Sequence, residues 1–353
     1  MPTNYDMKKI TTILAALLLI FIAATGQNKQ YQVYGVCFYN LENLFDTINN
    51  NGKYDLEFSP SGARQWNGQK YWSKIHNMAY AISHFTSDVT PMGPAIIGVS
   101  EIENITVLQD LVRHDLIKKW RLQIVHHDSP DRRGVDVGLL YNPRLFRVLN
   151  VTNATLTIPN NPGFRTRDQM CVTGMLGSDK VSVIVNHWPS RLGGQEQSSY
   201  LREAAAARVM QTVDSLLADD PNQGIIVMGD LNDDPQDKSC AVVMGGKKKM
   251  NDVKEPRQFY NPWWATLDKG IGTLAYRGQW NLFDQIMISH YFLGDRSHLT
   301  YLRHEVMNFD FLKTQEGDYA GYPLRTFSAG RFLNGYSDHF PTQVFLVREV
   351  KRP

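Results

Sequence analysis

The 353 residues are 42% hydrophobic and 11% aromatic, enough apolar and ring material for a large buried core, which excludes a disordered chain. The formal net charge is +2, so a polyanionic partner is neither demanded nor excluded and would need only a local basic patch. Cys37, Cys171 and Cys240 are too few and too scattered for a disulfide framework and show no metal-thiolate spacing, which removes cysteine chemistry.

The chain opens with Lys8-Lys9, an apolar run over residues 10–24, and Thr25-Gly26-Gln27. A basic start, an apolar middle and small residues at the end form the pattern of a secretory signal peptide, placed over residues 1–26. A run of about 15 residues falls short of the roughly 20 that cross a bilayer, which favours cleavage over retention as an anchor. No cysteine follows the run, which argues against a lipid-attached form. The expected destination is the periplasm or the outside of a bacterial-type cell.

Beyond the leader, strand-like and helix-like segments alternate with no long Pro, Ser or Gly linker and no internal repeat. Strands are expected over 33–39, 95–99, 121–126, 135–141, 146–151, 171–176, 181–186, 225–229, 284–289 and 342–347. Helices are expected over 69–86, 104–118 and 196–218, the last carrying Leu201, Ala205, Val209, Val213 and Leu216 at helical spacing. Residues 240–280 and 291–335 read as long surface loops with Gly, Pro and aromatic rings. Many strands, few helices and no linker predict one α+β domain over residues 30–350, built of packed sheets with outer helices.

The strands share a habit at their ends. Asn40 and Glu42 close the first, Glu101 the second, His187 the run VSVIVNH, and Asp230 with Asn232 the run IIVMGDLN. Asp284 opens DQIMIS, and Asp338-His339 precedes the last strand. A single such residue is more often a turn former or a helix cap than a ligand. Six strands following one rule instead predict a shared polar cleft. Oxygen ligands without cysteine suit a hard cation, Mg²⁺, Mn²⁺ or Ca²⁺. Two separate histidines, each able to titrate near neutral pH, suit proton transfer on both sides of a displacement. Together these groups suit the splitting of a phosphate ester. No GxxxxGK[ST] loop is present, so nucleotide-dependent phosphoryl transfer is not indicated.

The ordered series N-x-E-N-L-F, S-E-I-E-N, R-G-V-D-V-G-L-L-Y, N-H-W-P-S-R, G-D-L-N-D-D-P, D-Q-I and S-D-H resembles the endonuclease/exonuclease/phosphatase (deoxyribonuclease I-like) superfamily over about residues 33–347. The resemblance implies a four-layer αββα sandwich of two mixed β-sheets with outer helices and a site at one end of the sheets. It implies Glu101 as principal metal ligand with Asn40 beside it and Asp338 nearby. Asp230 and Asn232 would orient the attacking water and contact the scissile phosphate. His339 would contact that phosphate while held by Asp284, and His187 would face the leaving group. Asp233 and Asp234 are expected to cap the following turn.

Some positions depart from the family pattern. Phe283 precedes Asp284 and Gln285 follows it, no partner for His187 is evident, and Asp136 could face either cleft or solvent. Arg133, Arg167 and Arg191 are candidate phosphate clamps, because a guanidinium suits bidentate phosphate contact. The opening YNLENLFD and the leader resemble secreted bacterial nucleases, which implies a monomeric enzyme on phosphodiesters of nucleic acid without an obligate protein partner. The alternatives are a phospholipid or sphingomyelin phosphodiesterase, for which Trp263 and Trp264 offer a membrane-facing loop if they are not core, a phosphomonoesterase, and a non-catalytic binding module.

Overall fold

A computed structural model describes residues 30–48, 55–295 and 297–350. The expected leader over residues 1–26 lies outside the described residues. The first half of the chain runs β1 (Gln30–Leu44), α1 (Gly68–Ser83), β2 (Ile96–Ile102), α2 (Ile105–Arg113), β3 (Gln123–His126), β4 (Asp136–Tyr141), β5 (Phe146–Ala154), β6 (Gln169–Leu176) and β7 (Asp179–His187). The long helix α3 (Gln195–Asp219) leads to β8 (Gly224–Asp230), β9 (Gly246–Lys247), β10 (Phe259–Tyr260) and the short α4 (Trp263–Leu267). A hairpin of β11 (Leu274–Tyr276) and β12 (Gln279–Asn281) precedes β13 (Asp284–Ser289) and β14 (Thr300–Val306). A second hairpin, β15 (Phe327–Ser328) and β16 (Arg331–Phe332), comes before β17 (Thr342–Val350).

Two mixed sheets result, ordered β14-β17-β1-β2-β4-β3 and β5-β6-β7-β8-β13-β10-β9. The period of two along a strand builds the layers. In β1, Tyr34, Val36 and Phe38 point into the apolar layer between the sheets, where they meet Val183, Val185, Met228 and Ile286. Cys37, Tyr39 and Leu41 point the other way, under Ile75 and Met78 of α1 and Leu108 of α2. On the far side, Ile184, Val227 and Met287 pack beneath Ala205, Val209 and Val213 of α3. The order is therefore helix, sheet, sheet, helix, the four-layer α+β sandwich. Central strands buried on both faces explain why the sequence shows apolar runs rather than alternation.

The ten expected strands and three helices fall on structured elements, with α1 and α2 ending earlier than expected, at Ser83 and Arg113. The stretch 291–335 is not all loop. It contains β14, an edge strand paired only with β17, whose Arg303 and Glu305 pair with each other on one face. Residues 240–280 likewise hold short strands and α4. Trp263 is fully buried and donates through Nε1 to the Ile286 carbonyl, while Trp264 is half-buried.

Gly229 shows how tightly the sheet is drawn near the cleft. A Cβ at this position would lie 2.3 Å from the Asn186 carbonyl oxygen on the neighbouring parallel strand β7. The obstructing atoms are the backbone and Cβ of Asn186, which have no flexible end to move aside. Gly229→Ala should cost at least about 2 kcal/mol, read as a lower urea midpoint with little change in slope. A midpoint equal to wild type would mean the β7–β8 spacing is looser than described.

Candidate active site

The polar residues arrive together because of register. His187 pairs with Asp230 across the parallel β7–β8 ladder, and Asp230 pairs with Asp284 across the antiparallel β8–β13 ladder. Three adjacent strands thus present His187, Asp230 and Asp284 side by side. The other sheet delivers its groups through irregularities. The β1–β2 register shifts between Asn40 and Leu44, and the β2–β4 register shifts between Ser100 and Ile102. Glu42 (φ 44°), Asn43 (φ 51°), Glu101 (φ 58°) and Asn232 (φ 51°) all hold left-handed backbone without being glycine. Such conformations cost of order 1–3 kcal/mol each and gather where side chains must be aimed.

Asp230 is the hub. Its Oδ2 accepts from Asn40 Nδ2 at 3.0 Å and lies 3.6 Å from His187 Nε2 and 3.8 Å from His339 Nε2. Its Oδ1 accepts from the Asn232 amide at 3.0 Å. His339 Nδ1 is 2.7 Å from Asp284 Oδ2, fixing the imidazole so that Nε2 faces Asp230 and Asp338, the latter also at 3.8 Å. His187 Nε2 stands 3.9 Å from Glu101 Oε1. The side-chain amide of Asn232 donates to the Trp188 carbonyl, which leaves its oxygen as the group available to the cleft. All eight residues expected at the catalytic and metal positions lie at one end of the sheets.

Both histidines are able as a residue type to titrate near neutrality, but their surroundings shift them in opposite directions. Burial, followed by the nearby Arg167 guanidinium, pushes His187 well below an ordinary histidine, so it is neutral; its Nδ1 is buried without a partner. Burial also opposes charge on His339, but Asp284 and Asp230 outweigh it and hold the imidazole cationic well above its usual value. Burial raises the Asp230 carboxyl to about 6 against the pull of His339. Burial would raise Glu101 too, yet Arg133 and the cationic His339 hold it well below the usual carboxylate range.

Of the three arginines expected as phosphate clamps, one is committed elsewhere. Arg167 is buried and spends its guanidinium on the His187 and Trp188 carbonyls and on Asp131. It is a strut under His187. Arg191 is largely engaged as well, donating to the Asn232 carbonyl, Asp234 and Asp237, with its guanidinium over the Phe283 ring. Arg133 sits at the cleft, donating to Glu101 at 3.3 Å and to Asn43. Asp136 is buried and accepts from Ser129, with His126 Nε2 3.0 Å away, so it faces neither cleft nor solvent. Asp233 does more than cap a turn: it binds the buried Arg202 at 2.6 Å and Ser239 at 2.7 Å, while Asp234 accepts from the Leu282 amide.

Four residues outside the expected set complete the cleft. Glu42, closing β1, accepts from the Thr326 amide and from Arg325, and lies 3.9 Å from the buried Lys74. Arg325 also donates to Asp338 at 2.8 Å. Burial, then Asp338, raises Glu42 to about 7. Burial lowers Lys74 to about 8. Glu42 is visible in the sequence as a strand-closing acid, whereas Arg325 and Thr326 sit in a stretch with no short-range signal.

The donor set fits a hard divalent cation. Glu101 is firmly ionised and 12% exposed, Asp338 is 33% exposed, and the Asn40 amide oxygen, which accepts from the Glu42 amide, has a second lone pair. The acids Asp230 and Asp284 with His339 also lie close enough to one another to hold an ion. Because His339 is cationic and bonded to Asp284, that trio is better described as a charged hydrogen-bond relay. Glu101, Asn40 and Asp338 remain the residues that would hold the metal.

A carboxylate-rich cleft holding an oriented imidazolium and a neutral imidazole, set at one end of a four-layer sandwich, defines a phosphate ester hydrolase of the metal-dependent kind. Residues 35–348 match the family model described as Endonuclease/Exonuclease/phosphatase family, and the chain belongs to that family, whose members use divalent metal. No curated protein matches the sequence. Among solved structures, TDP2 of D. rerio complexed with single strand DNA product is 12% identical, with a TM-score of 0.53 over 89% of this chain and 98% of that one. The mannosyl-6-phosphatase Bt3783 of Bacteroides thetaiotaomicron is 15% identical, with a TM-score of 0.54 over 89% and 99%. An endonuclease/exonuclease/phosphatase family protein from the same organism is 15% identical, with a TM-score of 0.53 over 92% and 98%. At such identities the likeness is one of fold.

The His339–Asp284 pair makes a pH prediction. The folded pKa of His339 lies above its unfolded value of about 6.5, so the stabilisation is fully present below that value and is lost as pH rises through the folded pKa. In chelator-treated protein, the stability gap between wild type and Asp284→Asn should be widest below about pH 6.5 and narrow as pH rises through the raised folded pKa. A gap that stays constant across this range would remove the imidazolium from the site. Glu101→Gln keeps size but removes the charge that a hard cation needs. Calorimetric titration with Mg²⁺ should show affinity at least about tenfold weaker than wild type with an unchanged circular dichroism spectrum. Equal affinity would place the metal elsewhere.

Proposed function

We propose that the chain is an exported Mg²⁺-dependent phosphodiesterase that hydrolyses nucleic acid, with Mn²⁺ or Ca²⁺ as chemically equivalent hard cations. The observation that carries this reading is the convergence on Asp230 of a cationic His339, a neutral His187 and the Asn40 amide beside the ionised Glu101. When bound, the metal would neutralise charge on the phosphoryl oxygens. The rest follows from the chain's own groups. The carboxylate of Asp230 and the free amide oxygen of Asn232 accept hydrogen bonds from an attacking water and aim it. His339, locked by Asp284, donates through Nε2 to a phosphoryl oxygen, where charge grows during displacement. His187 is neutral and offers a single N–H, so it assists the leaving oxygen as a hydrogen-bond donor.

The lean to nucleic acid rests on the resemblance of YNLENLFD to secreted nucleases and on Arg133, 35% exposed beside Glu101, which would meet a phosphate of a backbone. The D. rerio protein holding a single strand DNA product shares this fold. The resemblance of the leader to a signal peptide supports export. A second reading, a phosphomonoesterase, is favoured by the fold shared with the mannosyl-6-phosphatase. The phospholipid reading loses its candidate loop, because Trp263 is buried in the core.

A panel of plasmid DNA, single-stranded DNA, RNA, sphingomyelin, inositol phosphates, sugar phosphates and a nitrophenyl phosphodiester with Mg²⁺, Mn²⁺ or Ca²⁺ tests this directly. Nucleic acid should be cleaved, and His339→Ala should reduce the rate by about 10²–10³-fold. Turnover of monoesters alone would replace the nuclease reading with the phosphatase one. On a nitrophenyl diester, whose leaving group needs little help, His187→Ala should lose less than on a natural diester. Equal losses on both would remove His187 from the leaving-group side.

A further inference from the structure

A second cavity opens beside the metal carboxylates. It measures about 240 Å³ and is walled by Asn43, Arg64, Arg325, Ser328 and the rings of Phe58 and Phe327. A larger cavity, about 1100 Å³ and lined by Phe292, Thr300 and Arg348, lies at the opposite end of the strands, away from the chemistry. The smaller one shares a wall with the site. The Asn43 amide donates to Glu101 Oε2 at 3.0 Å, and Arg325 bridges Glu42 and Asp338. Its walls Asn43 and Arg325 are each bonded to one of the carboxylates that would hold the metal.

We propose that this cavity receives the single sugar ring attached to the scissile phosphate. The inference rests on the phosphoesterase reading and names the group next to the reacting ester. Three observations carry it. The first is charge. Arg64 is 2.7 Å from Glu57, and Arg325 is paired with Glu42 and Asp338, so both guanidinium groups are already compensated. Neither guanidinium is free to pair with a second phosphate, whereas a neutral polyhydroxyl group can use their remaining N–H donors. The second is surface. Phe58 and Phe327 supply apolar ring surface, the Arg64 guanidinium lies 5.0 Å from the Phe327 centroid, and the Asn43 amide and Ser328 hydroxyl supply polar contacts. Apolar ring surface rimmed by fixed polar groups suits the C–H face and hydroxyl edge of a sugar. The third is size. At roughly 30 Å³ per water the space holds about eight waters, room for one ring and not for a base pair.

One wall is the two-residue turn Ala329-Gly330 of the β15–β16 hairpin, whose positive φ values (46° and 80°) are those such a turn requires. The sugar can come from two sources, a nucleotide at a chain end or a free sugar phosphate, and the experiment separates them.

The test compares kcat/KM on the p-nitrophenyl ester of thymidine 5′-monophosphate with that on methyl p-nitrophenyl phosphate, which has the same leaving group and no sugar. Wild type should prefer the sugar-bearing ester by at least tenfold, and Ser328→Trp, which fills the cavity, should reduce that ratio at least tenfold. An unchanged ratio overturns the pocket. A variant-free measurement stands beside it: Mg²⁺-loaded wild type should bind thymidine 5′-monophosphate or glucose 6-phosphate at least tenfold more tightly than inorganic phosphate. The tighter of the two names the source, and equal affinity for all three overturns the proposal. If neither ester is hydrolysed, the phosphoesterase reading fails, and the binding comparison still decides the pocket.

Discussion

The cleft depends on one buried acid. Asp230 is 3% exposed at the end of a central strand, and an isolated carboxylate there would cost several kcal/mol. Three partners offset that cost, and they come from different parts of the fold. Asn232 lies two residues on, Asn40 reaches across from the other sheet, and His339 arrives from just before the last strand. The Asn40–Asp230 bond joins the two sheets through polar atoms at the point where their apolar layer ends. Docking of the sheets and assembly of the site are therefore one event, since Asp230 is satisfied only when both are in place.

The same coupling explains the strained strand ends. A strand buried on both faces sends its side chains alternately to two apolar layers, so a polar side chain at its end must be turned out of that alternation. Register shifts after Asn40 and around Glu101, together with left-handed backbone at Glu42, Asn43, Glu101 and Asn232, accomplish the turn. Packing of Ile97 and Val99 beneath the helices and of Val185 and Met228 between the sheets holds these conformations. The core carries the strain; the site uses the directions it produces.

Much of this was legible in the sequence, and the limits are physical. Long apolar runs placed the central strands because both faces are buried, and strand-terminal Asn, Asp, Glu and His marked the cleft. The edge strand β14 was not legible, because one neighbour and a polar outer face give it no apolar run. The arginines were read by residue type, and type does not reveal commitment: Arg167 is spent beneath His187, while Arg325, unmarked by any motif, bridges Glu42 and Asp338. Partners separated by about three hundred residues, such as Glu42 with Arg325 and Asn40 with Ser337, leave no spacing to detect.

Protonation is the least legible property of all. His187 and His339 each border an apolar strand, and as letters they are interchangeable. Both are nearly fully buried, so desolvation penalises the charge of both. What separates them is the nearest neighbour. Asp284 touches His339 at 2.7 Å, whereas His187 has the Arg167 guanidinium at its own carbonyl and carboxylates no nearer than 3.6 Å. A carboxylate in contact outweighs burial; one held almost an ångström farther off, with a guanidinium close by, does not. The cleft thus acquires an imidazolium on one side of Asp230 and an imidazole on the other from two copies of the same residue. That asymmetry suits a displacement at phosphorus, in which one side must bind growing negative charge and the other must meet a departing oxygen.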